Sequence, residues 1–128
     1  MADHPNAALY RSLFDTMMAG DIEALSDVIA DDIKYHVIGS PDPIVGKEAV
    51  LASFGGLDGA GFEFRGELHD VVANDEHTIA LVTAHVIKDG ETFTYRSAEI
   101  LHFEDGKATE RWAFSDDTEA INRFFGGE

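Results

Sequence analysis

Two Asp-Gly pairs, Asp89-Gly90 and Asp105-Gly106, do most to limit how this chain can fold. Both residue types tolerate the positive φ that a two-residue hairpin turn demands, so each pair marks a tight antiparallel reversal. Asn74-Asp75-Glu76-His77 gives a weaker third turn. Between these turns polar and apolar residues alternate, which predicts strands near 62–74, 77–88, 91–104 and 107–115.

The first half follows a different period. Leu9, Leu13, Phe14, Met17 and Met18 share one face of a helix that Gly20 ends. Asp21 is placed to cap a second helix with Ile22, Leu25, Val28 and Ile29 on its apolar face. The run Ile33-Lys34-Tyr35-His36-Val37-Ile38 predicts a short strand, and Gly39 to Pro43 a loop. A third helix is predicted from Gly46 to Phe54, and a last one after Ser115 carrying Ile121, Phe124 and Phe125. Helices first and a long meander afterwards imply an α+β fold with the helices on one sheet face. A bulge near Gly66 is expected, because Phe62, Phe64 and Leu68 have one parity while Val71 and Ala73 have the other.

Composition narrows the function. At 128 residues the chain has the size of a single domain, taken as 1–128, and its 45% hydrophobic residues suffice for a core. Nine Lys and Arg against 25 Asp and Glu give a net charge of −16, a surface that repels phosphate backbones and anionic lipid. Neither nucleic acid nor a membrane is expected as a partner. Cysteine is absent, so disulfides, thiolate nucleophiles and thiolate metal sites are excluded. Met1-Ala2-Asp3-His4-Pro5 lacks the regions of a signal peptide, which makes the cytoplasm the expected compartment. No HExxH, CxxC, Ser-His-Asp arrangement or glycine-rich phosphate loop is present, and no metal or cofactor is expected.

Counting outward from the two hairpins assigns each strand residue to a face. Val82, Ala84, Val86, Phe93, Tyr95, Leu101, Phe103, Trp112 and Phe114 fall together on an apolar face, which the helices should cover. In that count Leu101 faces Glu110 and Glu99 faces Trp112, so both carboxylates lie on the apolar face. Thr83, His85, Thr94, Arg96, His102 and Arg111 fall on the opposite face, with Ile79, Leu81 and Ile100 among them. His77 and His102 face one another there beside Arg96 and Arg111, whose charge disfavours a cation.

A carboxylate on a core face is costly, and such groups concentrate at functional sites. Glu99 is the leading candidate; the competing reading pairs it with an arginine or exposes it at the sheet edge. His36, at the end of its strand beside the loop, is the second candidate because imidazole exchanges protons near neutral pH. Its competing reading is a hydrogen-bonded structural residue.

The segments LFDTMMAGDIEALSDVIADDIKYHVIGSPDPIVGKEAV and ILHFEDGKATERWAFSDD resemble the NTF2-like superfamily, and within it the SnoaL-like polyketide cyclases and ketosteroid-isomerase-related proteins. The resemblance spans essentially the whole chain and implies a cone of helices packed on a strongly bent sheet around a pocket. It is weak for activity, since this fold hosts several chemistries and non-catalytic proteins. The isomerases' general-base aspartate matches His36 (or Val37, given a one-residue gap). Their buried protonated aspartate matches Glu99. Their oxyanion tyrosine matches Leu13, with Tyr10 a turn earlier. The cyclases' last-strand aspartate matches Ala113, and that of limonene epoxide hydrolases matches Phe114, which argues against the Asp-Arg-Asp mechanism.

Two functions follow as expectations. In the first, the protein is an isomerase-, cyclase- or dehydratase-type enzyme. His36 moves a proton beside a carbonyl and a protonated Glu99 binds the enolate. Tyr10, Phe14, Tyr35, Phe54, Tyr95, Trp112 and Phe114 line the pocket for a small apolar or cyclic molecule. In the second, it is a non-catalytic ligand-binding or dimeric scaffold protein. Convergence of His36 and Glu99 on an open cavity favours the first; pairing of Glu99 with an arginine in a closed pocket favours the second. A homodimer through the face carrying Ile79, Leu81 and Ile100 is expected in either case. A desolvated Glu99 also predicts that Glu99→Gln holds or raises stability near neutral pH.

Overall fold

The computed structural model of the chain describes residues 4–126, with the side chains at 57, 58 and 125 excepted. The predicted core position Phe125 and the first three residues of the N-terminus therefore lie outside the described set. Three helices, α1 (Pro5–Ala19), α2 (Ile22–Asp27) and α3 (Lys47–Gly59), interleave with strands β1 (Ile29–Tyr35) and β2 (Ile44–Val45). Strands β3 (Glu63–Ala73), β4 (Thr78–Lys88), β5 (Glu91–Glu104) and β6 (Lys107–Ser115) follow, then helix α4 (Thr118–Gly126). The curled sheet has the order β2-β1-β6-β5-β4-β3, with β1 parallel to β6 and its other neighbours antiparallel.

Local signals explain most boundaries. Pro5 opens α1, where a missing N–H costs nothing, and Gly20 closes it at φ 70° with its N–H bonded to the Met17 carbonyl. The Asp21 carboxylate accepts from the Ala24 N–H and caps α2. Both predicted hairpins form, with φ of 53° and 81° at Asp89-Gly90 and 51° and 77° at Asp105-Gly106.

Several boundaries differ from the sequence expectation. Strand β1 begins at Ile29, claiming the end of the predicted second helix, because Val28 caps α2 and its carbonyl accepts from the Ala108 N–H on β6. His36 falls just past the strand's last residue. The two-residue β2 lies between the predicted loop and the predicted third helix, paired with Lys34 and Tyr35 of β1.

Helix α1 lays Ala7, Tyr10, Leu13 and Phe14 against the sheet, all buried. They pack with Ile33, Val50, Val71, Ala80, Val82 and Leu101 in one core. Gly66 lets β3 approach α1: a Cβ there would sit 2.9 Å from Cζ of Phe14. The expected bulge in β3 is at His69, where Leu68 pairs with Val82 and Asp70 with Leu81. It turns Val71 into the core after Leu68, as the parity change requires.

A second bulge was not anticipated, and it rearranges the site. Phe103 pairs with Ala108, but His102 pairs with Glu110, leaving Thr109 as an extra residue in β6. Beyond it every β6 side chain changes face. Arg111 and Ala113 turn under the helices, while Glu110, Trp112 and Phe114 turn to the outer face. The predicted Leu101–Glu110 and Glu99–Trp112 pairs are replaced by Leu101–Arg111 and Glu99–Ala113.

Candidate functional site

The site is a polar cluster on the inner face of the sheet. The tyrosine hydroxyl of Tyr10, from α1, donates to Oε1 of Glu99 at 2.6 Å. Arg111 donates from Nε to Oε2 of the same carboxylate at 2.8 Å. Its Nη1 donates to the main-chain carbonyl of His36 at 3.0 Å. The Tyr35 ring covers the guanidinium at 4.4 Å, and Phe54 of α3 meets Tyr35 edge-on at 5.5 Å. Phe14 stacks on Tyr10 at 6.3 Å.

Burial and charge set the protonation states. Burial pushes the Tyr10 phenol far above its usual range, and Glu99 beside it adds to the shift. Burial also raises Tyr35, and it pushes Tyr95 up to about 12. All three phenols are therefore neutral donors at physiological pH. Burial opposes the charge on Arg111, but Tyr35 and Glu99 more than offset it and its pKa rises.

The cluster is enclosed without being solid. Glu99 and Arg111 keep 14% and 13% of their side-chain surface accessible, and Tyr35 and Tyr95 are only half-buried. Beyond the Tyr35 ring-to-guanidinium contact, neither the Tyr35 nor the Tyr95 hydroxyl has a hydrogen-bond partner among the described residues. Phe93 lies beside Tyr95 and stacks on Phe124 of α4 at 5.2 Å.

The structure divides the predicted residues between two places. Tyr10, Phe14, Tyr35, Phe54, Tyr95 and Glu99 gather inside, as expected. His36, Trp112 and Phe114 do not join them. The His36 ring bonds Oε2 of Glu110 at 2.9 Å and stacks on Trp112 at 5.2 Å, on the outer face. Trp112 also meets His102, which packs on His77. Phe114 is 60% exposed. His36 and Glu99 therefore share no cavity, and Glu99 is paired. The charged inner residue missed from the sequence is Arg111, displaced in the count by the Thr109 bulge.

A model of the SnoaL-like domain matches residues 10–111, most of the chain. The protein belongs to the SnoaL-like domain family. No curated protein matches it by sequence. Its fold is shared with Bal32a, from a soil-derived mobile gene cassette: TM-score 0.84 at 22% identity, over 93% of this chain and 95% of that one. An LEH-like epoxide hydrolase from M. tuberculosis gives a TM-score of 0.80 at 15% identity, over 94% and 90%. A candidate polyketide cyclase from Xanthomonas campestris pv. campestris gives 0.74 at 20%, over 89% and 92%. At these identities the likeness establishes the cone-shaped fold of a SnoaL-like protein and leaves the activity to the residues.

In this SnoaL-like chain Ala113, where the cyclases' aspartate was matched, points inward and is buried, so that carboxylate is absent from the inner face. Tyr10, one turn before the position matched to the isomerases' oxyanion tyrosine, does reach the cluster. Among the described residues no group of three or more His, Asp or Glu is arranged to hold a metal ion. No helix among them is long and apolar enough to cross a membrane.

Proposed function

We propose that the inner cluster binds a small apolar, cyclic molecule by a carbonyl group and moves a proton at the adjacent carbon. The observation that carries this is the carboxylate of Glu99, held between Tyr10 and Arg111, with the unpartnered phenols of Tyr35 and Tyr95 beside it. Glu99 takes the proton from the α-carbon, and the C–H electron pair moves into an enolate. Neutral phenols then donate hydrogen bonds to the developing oxyanion in a largely buried site. Returning the proton to a different carbon gives isomerisation; attack of the enolate on a second carbonyl gives cyclisation. Tyr35, Phe54 and Phe93 supply flat apolar walls. The His36 ring transfers no proton in this chemistry, since it bonds Glu110 away from the cluster.

A second reading, ligand binding without chemistry, is favoured by two observations: both Glu99 oxygens already have donors, one of them Arg111, and the His36 ring does not converge on Glu99. Solvent deuterium exchange into the α-carbon of a bicyclic ketone, followed by NMR, separates the two. Exchange with the wild type that is lost in Glu99→Gln supports proton transfer. Saturable binding of the ketone without exchange supports the second reading, and neither binding nor exchange overturns both.

The protein is further proposed to act as a homodimer through its outer sheet face. Val72, Ile79, Ile100 and Trp112 pair in one row across β3 to β6, and Leu81, Ala98 and Phe114 in the next. Val72, Leu81 and Phe114 are 57%, 43% and 60% exposed. On a chain of net charge −16 this apolar band is where a like-charged copy can approach.

A further inference from the structure

The outer cluster grips the same short piece of chain as the inner one. Residue 36 is held from both sides of the sheet. Its N–H donates to the Arg111 carbonyl at 2.8 Å, and its carbonyl accepts from Arg111 Nη1 at 3.0 Å. Its ring is fixed by the two residues that flank Arg111: Glu110 through a hydrogen bond at 2.9 Å, and Trp112 through stacking with the rings 5° from parallel. Beyond residue 36 the chain leaves the sheet for the 37–43 loop, so nothing further along β1 secures that carbonyl.

We infer that His36 is a positioning residue: its outward ring, clamped by Glu110 and Trp112, holds the main-chain carbonyl that aims the Arg111 guanidinium at Glu99. The imidazole acts on one face of the sheet, and the geometry it fixes is used on the other. This inference rests on the reading of Glu99 and Arg111 as the working pair. The physical reason is torsional. With Nη1 bonded to a fixed carbonyl, Nε is left pointing along one direction, and the Oε2 of Glu99 lies there. A free carbonyl would let the guanidinium rotate against the Tyr35 ring, a contact that tolerates such rotation.

The Arg111 Nε–Hε resonance reports this arrangement without reference to any reaction. In His36→Ala and in Glu110→Ala its exchange with solvent should accelerate about tenfold or more. Glu110→Gln, which keeps an acceptor for the His36 N–H, should restore the wild-type value. Backbone amide spectra of the same samples show whether each variant is folded. The unaltered protein supplies a test if the variants do not fold. The charged and titratable groups facing the His36 ring are Glu110 and, beyond Trp112, His102 and His77. As pH falls, the Arg111 Hε shift should follow the titration of the His36 ring proton and not those of His102 or His77. An Arg111 signal indifferent to both the variants and the His36 titration overturns the inference. That failure leaves the proton-transfer reading intact, since α-carbon exchange measures it separately; absence of that exchange leaves the Arg111 signature unaffected.

Discussion

Arg111 meets Glu99 across paired strands, Nε to Oε2 at 2.8 Å, because Thr109 adds one residue to β6 and turns Arg111 inward. The bulge is itself bonded to β5, the Thr109 hydroxyl donating to the His102 carbonyl at 3.2 Å. One inserted residue thus converts an isolated core carboxylate into a charge pair, and the consequences are measurable.

The first concerns stability. An unpaired Glu99 would make Glu99→Gln neutral or stabilising near neutral pH; the pair with Arg111 reverses the sign. Removing the carboxylate leaves a mostly buried guanidinium without its counter-charge. Glu99→Ala should cost about 3–5 kcal/mol, with Glu99→Gln destabilising by less because the amide still accepts hydrogen bonds. Urea midpoints at pH 7 with unchanged slope measure both. A Glu99→Gln midpoint equal to or above the wild type contradicts the pairing.

Alkaline titration gives the second prediction. All three tyrosines have phenols raised above the ordinary value of 10.0, Tyr95 to about 12, with burial the largest cause. Between those values the unfolded chain loses phenolic protons that the folded protein keeps. Stability is therefore full below pH 10.0 and falls as pH rises from there through about 12. Phenolate absorbance of the native protein should lag behind that of the urea-unfolded chain across this range. Coincident titration curves would show that the rings are solvated.

Thr78 supplies the third. It is 0% exposed, and its hydroxyl has no hydrogen-bond partner among the described residues. Thr78→Val keeps the branched shape and removes the polar atom, so it should raise stability by about 1 kcal/mol. A thermal midpoint that drops in this variant would reveal a bonded hydroxyl.

The fourth tests the dimer. Leu81→Glu places a charge in the apolar band of the outer face without touching the core, because Leu81 is 43% exposed. Sedimentation should shift from dimer to monomer with little change in thermal midpoint. Lowering the salt should also weaken the wild-type dimer, since each subunit carries −16. A wild type that sediments as a monomer at micromolar concentration refutes the interface.

Much of this was legible beforehand, for reasons that can be located. Asp-Gly turns fix hairpin register outright, so the β4–β5 pairing of Val86 with Phe93 and Ala84 with Tyr95 follows from counting. That counting also put Glu99 inside. The β3 bulge was legible because large residues, Leu68 and Val71, sit on opposite parities. In β6 the same sign is faint: the buried residues either side of the bulge are Ala108 and Ala113, too small to declare a face. Trp112 and Phe114 misled in turn, since their hydrophobicity suits an outer interface as well as a core. His36 was singled out for its chemistry, and the ring's direction depended on a register that nothing in the local sequence sets.

The account's central claim is that the working site is the inner cluster and not the histidine–tryptophan cluster outside. Binding of a naphthol, whose hydroxyl stands in for an enolate oxygen, tests this most directly when compared in Tyr95→Phe and Trp112→Phe. Removing the Tyr95 hydroxyl should weaken binding by about twofold to tenfold, the value of one hydrogen bond. Trp112→Phe, on the other face, should leave the dissociation constant unchanged. Weakened binding in Trp112→Phe together with full affinity in Tyr95→Phe would place the site on the outer face and contradict the account.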